Sequence, residues 1–252
     1  MKRKPPVWLL LFWIVGFGIL VFRIGYDGKI YFFGGTMAVR QASPYRYNYF
    51  LSFPKGYHDF TEPRPLIIFL HGAGEAGKDL HELRGSHPFR NVRHHIAAED
   101  FPYLVACPIT SFRGWDSDQV ITFVDELLAD TRFRYRIDSK RIYLTGISMG
   151  GYGTFQVAID HPDRFTAIVP LACGCDSRNA EKLLTVPIQV FHGEMDDVVG
   201  YESAEKFVTE LKRLGHPDAH FTLLPGQGHG IAETVYHRPE LYRWMRDCSD
   251  DK

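Results

Sequence analysis

The sequence has no long run of like charge. Its 252 residues carry 29 Lys and Arg against 30 Asp and Glu, a formal net charge of -1. Without a basic block or stripe there is nothing to meet a polyanion, so nucleic acid is not expected as a partner. Cysteine is scarce: Cys107, Cys173, Cys175 and Cys248 are too few for a disulfide scaffold, although an exported domain can form one or two bridges from them. The Cys173-Gly174-Cys175 spacing fits neither a C-x-x-C redox pair nor a zinc set with a second pair nearby, and reads as small buried residues at a strand end. No H-E-x-x-H is present to support metal-assisted hydrolysis, and His94-His95 is expected to face solvent; neither metal nor other cofactor is expected. Repeats and low-complexity tracts are absent as well. With 45% hydrophobic and 23% charged residues, the remainder has the composition of one globular domain with a single core.

The N-terminus departs from that composition, because Lys2, Arg3 and Lys4 precede an uncharged apolar run from Val7 to Phe22. As a helix this run rises about 24 Å, somewhat short of a hydrocarbon core of roughly 30 Å. No A-x-A-like arrangement of small residues follows it in Phe22-Arg23-Ile24-Gly25-Tyr26. Residues 1–24 are therefore expected to be an uncleaved signal anchor, a transmembrane helix, with a cleaved signal peptide as the alternative. The positive-inside rule keeps Lys2 to Lys4 in the cytoplasm and sends the rest of the chain outside it, periplasmic or extracellular, or secreted if cleaved. Residues 25–34 read as a linker, and 35–248 as the globular domain.

Within that domain, extended stretches are expected at Thr36 to Gln41 and Tyr45 to Phe53, the second ended by the turn residues Pro54-Lys55-Gly56. Six short apolar, β-branched runs follow: Pro65 to Leu70, Tyr103 to Ala106, Arg141 to Thr145, Ala167 to Leu171, Pro187 to Phe191 and His220 to Leu224. Helical patterns alternate with them, the signature of a parallel sheet with crossover helices. Val120, Ile121, Phe123, Val124, Leu127 and Leu128 form one apolar stripe, and Phe207, Val208, Leu211 and Leu214 another, closed by Gly215.

Directly after the Arg141 to Thr145 strand stands Gly146-Ile147-Ser148-Met149-Gly150-Gly151-Tyr152-Gly153, opening a helical pattern through Ile159. A serine hydroxyl on a sharp strand-to-helix turn is presented outward, and the crowding of that turn requires small neighbours, which Gly146 and Gly150 supply. A hydroxyl needs a base, an orienting acid and oxyanion donors to act as a nucleophile. His229, within Gly226-Gln227-Gly228-His229-Gly230 after the last strand, reads as the base, with His237 as the fallback. For the acid, Asp196 and Asp197 compete in the loop after Phe191, and spacing alone does not separate them. All these loops leave the carboxyl ends of strands, where open α/β sheets place their sites. The backbone N–H of Met149 and one from His71-Gly72-Ala73-Gly74-Glu75, Ala73 in preference to Gly74, are the oxyanion donors expected. Glu75 reads as a loop-anchoring acceptor, and Trp115 as lining the site or packing its loop.

Taken together, the His71-to-Glu75 loop, the elbow from Arg141 to Gly153, His192-Gly193-x-x-Asp196-x-x-Val199 and Gly228-His229 resemble the α/β-hydrolases of the phospholipase/carboxylesterase and dienelactone-hydrolase-like kind, including bacterial predicted peptidases. The match runs from about Tyr45 to Trp244. The resemblance implies a mostly parallel α/β sheet of about eight strands, the first antiparallel, and makes the fifth position of the H-G-x-x-D-x-x-V pattern, Asp196, the acid. Gly200 stands where relatives often carry proline. What it implies functionally is a serine hydrolase cleaving carboxylic esters with Ser148, His229 and Asp196, a serine peptidase on the same fold being the alternative. A catalytically silent membrane-tethered binding domain is the reading from another class. Only Ala172 to Val186 follow the strand ending at Leu171, which leaves no room for a cap domain. An open site suits short acyl esters, free or displayed on a larger carbohydrate or peptide, with Gly74 and Trp115 as candidate substrate contacts.

Overall fold

The structure is a computed structural model that describes residues 21–23, 29–33, 36–39, 47–57, 61–80, 82–85, 95, 98, 100–111, 113–130 and 135–250. Among them, ten strands build one sheet: β1 (Val21–Arg23), β2 (Lys29–Phe33), β3 (Thr36–Val39), β4 (Asn48–Ser52), β5 (Arg64–Leu70), β6 (Leu104–Ile109), β7 (Ile137–Ile147), β8 (Ala167–Leu171), β9 (Ile188–Gly193) and β10 (Ala219–Leu224). Their order across the sheet is β1-β2-β3-β4-β6-β5-β7-β8-β9-β10. The first four pair antiparallel with one another and β4 antiparallel with β6, while the six from β6 to β10 run parallel.

The eight strands expected from the sequence are present with ends shifted by a few residues. Two more precede them. Residues 25–34 were expected as a linker, yet Lys29–Phe33 is β2, with Phe33 paired to Thr36 across Gly34-Gly35. A Gly-Gly pair between an aromatic run and a β-branched one is a hairpin signal, and it lay between the segments assigned as linker and domain. Residues 1–20 of the expected anchor lie outside the described residues, and Val21 and Phe22, the end of its apolar run, belong to β1. No helix among the described residues is long and apolar enough to cross a membrane.

Strand side chains alternate between two cores, as a pleat with period two requires. Leu66, Ile68 and Leu70 of β5 join Ile142 and Leu144 of β7 under one set of helices, while Ile67 and Phe69 join Tyr143 under another. The first face is covered by α1 (Ser117–Leu128), α2 (Met149–Asp160) and α3 (Glu202–Arg213). The second lies under α4 (Ala232–Tyr236) and α5 (Pro239–Asp250). Asp116 caps α1 by accepting from the Gln119 N–H at 2.8 Å, and Gly215, at φ 85°, ends the chain's run after α3 in a left-handed conformation that a side chain would resist.

His94 lies outside the described residues, and His95 is half-buried rather than fully open to solvent as expected. Its ring packs 4.7 Å from that of Tyr242 and 6.1 Å from that of Phe101. All four cysteines are free.

Candidate active site

Ser148 sits between β7 and α2 with φ 56° and ψ -120°, a strained conformation for a residue with a side chain. Steric contact maintains it. A Cβ on Gly146 would stand 2.6 Å from Leu70 O, one on Gly150 would overlap the Leu70 carbonyl, and one on Gly151 would lie 2.6 Å from Cys173 Sγ. The turn can pass between β5 and β8 only because these positions are bare. The Ser148 N–H donates to Leu171 O at 2.9 Å, tying the turn to β8.

Three side chains from three loops then meet. His229 Nε2 is 2.8 Å from Ser148 Oγ, and His229 Nδ1 is 2.8 Å from Asp196 Oδ2. Asp196 Oδ1 accepts the Val198 and Val199 N–H groups, both at 2.9 Å. Burial pushes the Asp196 carboxyl up, but hydrogen bonds from Val199, His229 and Val198 outweigh it and hold it below its ordinary range. Of the two aspartates that spacing left open, Asp196 is the one in contact with His229. Asp197 is exposed and has no partner among the described residues. His237 closes α4, where its N–H donates to Glu233 O at 3.2 Å.

The loop facing the elbow is fixed by a buried imidazole. His71 Nδ1–H donates to Gly72 O at 2.7 Å, and its Nε2 accepts the Thr110 N–H at 3.1 Å. Burial drives the His71 pKa down to about 4, in keeping with this neutral tautomer. The Gly72–Ala73 peptide is trans, so holding its carbonyl on one side fixes the Ala73 N–H on the other. The Met149 N–H is the first of α2 and has no intrahelical acceptor, and the helix end favours negative charge beside Ser148.

The remaining candidates fare differently. Gly74 is exposed and a Cβ there would meet nothing within 4 Å; the loop glycine facing the nucleophile is Gly72, whose Cβ would stand 3.8 Å from that of Ser148. Trp115 is buried, stacks edge-on against His71 at 4.8 Å and donates its indole N–H to His71 O at 3.2 Å, so it anchors the loop. One side of it also reaches a cleft of about 900 Å³ beside Met149, lined among others by Arg113, Tyr152, Gln156 and Asn179. Glu75 is half-buried with its carboxyl raised by burial, and its Oε2 would be 3.7 Å from a Cβ on Gly72. Tyr152, Met195 and Val198, large and exposed apolar residues in the elbow and acid loops, were not singled out by sequence.

A half-buried serine in a strained turn, an imidazole on its hydroxyl and a carboxylate behind that imidazole form the arrangement by which a Ser-His-Asp constellation is recognised. A family model described as phospholipase/carboxylesterase matches residues 116–237. The chain is 27% identical over 157 residues to a bifunctional acetylxylan esterase/xylanase of Neocallimastix patriciarum, covering 60% of this chain and 22% of that protein. It is 25% identical over 167 residues to a putative esterase of Nocardia uniformis subsp. tsuyamanensis, covering 61% and 46%. A solved thermostable esterase superposes with a TM-score of 0.64 at 26% identity, over 92% of this chain and 62% of that one. The chain has the α/β-hydrolase fold and resembles the phospholipase/carboxylesterase family over the matched residues. It spans less than half the length of these two curated relatives.

Proposed function

We propose that the protein hydrolyses carboxylic esters through an acyl-enzyme on Ser148. The observation that carries this reading is the unbroken pair of 2.8 Å contacts from Ser148 through His229 to Asp196. In it, His229 Nε2 takes the hydroxyl proton as Ser148 Oγ bonds to the acyl carbon. The carbonyl oxygen becomes an oxyanion that accepts from the Ala73 and Met149 N–H groups. Collapse breaks the bond to the alcohol, which leaves with the proton from His229. A water then repeats the sequence on the acyl-enzyme, releasing the carboxylic acid and restoring Ser148. Asp196 holds the imidazole with Nδ1 protonated and balances the charge it gains.

The substrate is a short acyl ester displayed on a larger carrier. Between Leu171 and Ile188 the chain forms only a short 3-10 helix, Ser177–Leu183, and no cap domain is inserted there. The cleft beside Met149 is far larger than an acetyl group and within the range of small-molecule sites. The similarity to an acetylxylan esterase/xylanase supports an acyl group borne on a carbohydrate. Turnover of short p-nitrophenyl esters should exceed that of matched aminoacyl amides and vanish in Ser148→Ala. Faster amide turnover would make the protein a peptidase instead.

A further inference from the structure

The acid loop contains a second imidazole that the reaction above does not use. The His192 side chain is fully buried, and its Nε2 lies 2.8 Å from Val199 O and 3.1 Å from Asp196 Oδ2. Facing two oxygens that can only accept, Nε2 bears the hydrogen. Nδ1 on the other side is buried without a partner among the described residues. A buried ring nitrogen left unmatched is costly, so what the ring contributes lies at its other edge.

What that edge does follows from how the loop is tied down. One half is bound to the base loop: Glu194 N–H donates to Leu224 O at 3.0 Å, Met195 N–H to Gln227 O at 2.8 Å, and the Gly226 N–H to Glu194 Oε2 at 2.9 Å. Gly193 fits against the same segment so closely that a Cβ would stand 2.9 Å from the Gln227 carbonyl carbon. These ties stop before Asp196. Beyond it, the Val199 backbone is held on both sides of its Cα, its N–H by Asp196 Oδ1 and its C=O by His192.

We propose that His192 is a positioning residue for the acid of the triad, and this rests on the ester-hydrolase reading above. It closes the loop over Asp196 through Val199 and, standing beside Oδ2, keeps that oxygen aimed at His229 Nδ1. The ionisable groups about the Asp196 carboxylate are His229, His192 and, acting across the site, the Tyr152 phenol; Glu194 and Asp197 flank it in the loop. Removing the His192 N–H frees the Val199 carbonyl and leaves the Asp196 carboxylate less well aimed at His229 Nδ1, so the imidazole is held less firmly on the Ser148 hydroxyl.

The test compares His192→Phe, which keeps a ring of similar size, with His192→Gln, whose amide N–H reaches toward the place of Nε2. His192→Phe should lower kcat on a p-nitrophenyl ester by about 10- to 100-fold with KM little changed, as small misplacements of a reacting group do. His192→Gln should recover most of that loss. A His192→Phe enzyme with wild-type kcat, or one whose loss of kcat His192→Gln does not restore, would overturn the proposal whatever its melting temperature. Should the Phe variant not fold, His192→Gln against the shorter His192→Asn carries the same comparison, and equal kcat in the two would also overturn it. Ser148→Ala run alongside separates the outcomes, because residual turnover there would refute the triad itself.

Discussion

The elbow that carries Ser148 and the loop from His71 to Lys78 face each other, with Gly72 beside Ser148, and they are held by opposite means. In the elbow the backbone is wedged between neighbouring strands at Gly146, Gly150 and Gly151, where no side-chain atom fits. In the facing loop the peptides are shaped by turns, and the His71 ring with the Trp115 indole behind it supplies the fixed points. Steric wedging does not respond to pH, whereas a neutral buried imidazole does. One half of the site is therefore set by the fold, and the other by a titratable side chain.

The largest effect that tests this contrast is Gly150→Ala. Its Cβ would overlap the Leu70 carbonyl, backbone that cannot yield without moving β5, so a loss of roughly 3 kcal/mol or more, or failure to fold, is expected in thermal or urea unfolding. A stable, fully active Gly150→Ala protein would mean the elbow is not wedged. Next in size is the pH dependence carried by His71. Its pKa is about 4 in the folded protein, below the unfolded value of 6.5, so on acidification the unfolded chain binds the proton first. His71's contribution is then complete above pH 6.5 and is lost as the pH falls toward 4, about 2 to 3 kcal/mol over that window. Urea unfolding at pH 7 and pH 5 should show the loss, and His71→Phe should flatten it; an unchanged slope would remove His71 from the account. The smallest effect is Gly74→Ala in the same loop. With nothing near its Cβ, stability should change by less than about 0.5 kcal/mol and activity little, so a large loss would show that this loop too is wedged.

The same contrast explains what could be read from sequence. Glycine spacing around Ser148 announced the elbow because steric demand is written directly in residue size. The eight strands showed in their apolar runs because both sheet faces are covered. Asp196 and Asp197 were inseparable by spacing, since what distinguishes them is the Val198 and Val199 N–H groups folding back onto Asp196 Oδ1. Trp115 was visible as an aromatic in the right loop, but whether it lines or anchors depends on His71, 44 residues away in sequence. His192 drew no notice as an individual, because its acceptors are created by closure of its own loop. Strand β2 was hidden by reading the charged and glycine residues around it as a linker.

The central claim is that Ser148, His229 and Asp196 act as one nucleophilic unit. Treatment with an activated fluorophosphonate followed by peptide mass mapping tests it most directly. The account predicts a single adduct on Ser148, formed at least 100-fold more slowly in His229→Ala, because the weak hydroxyl nucleophile is activated by its base. No adduct on Ser148, or labelling at an unchanged rate without His229, would contradict it.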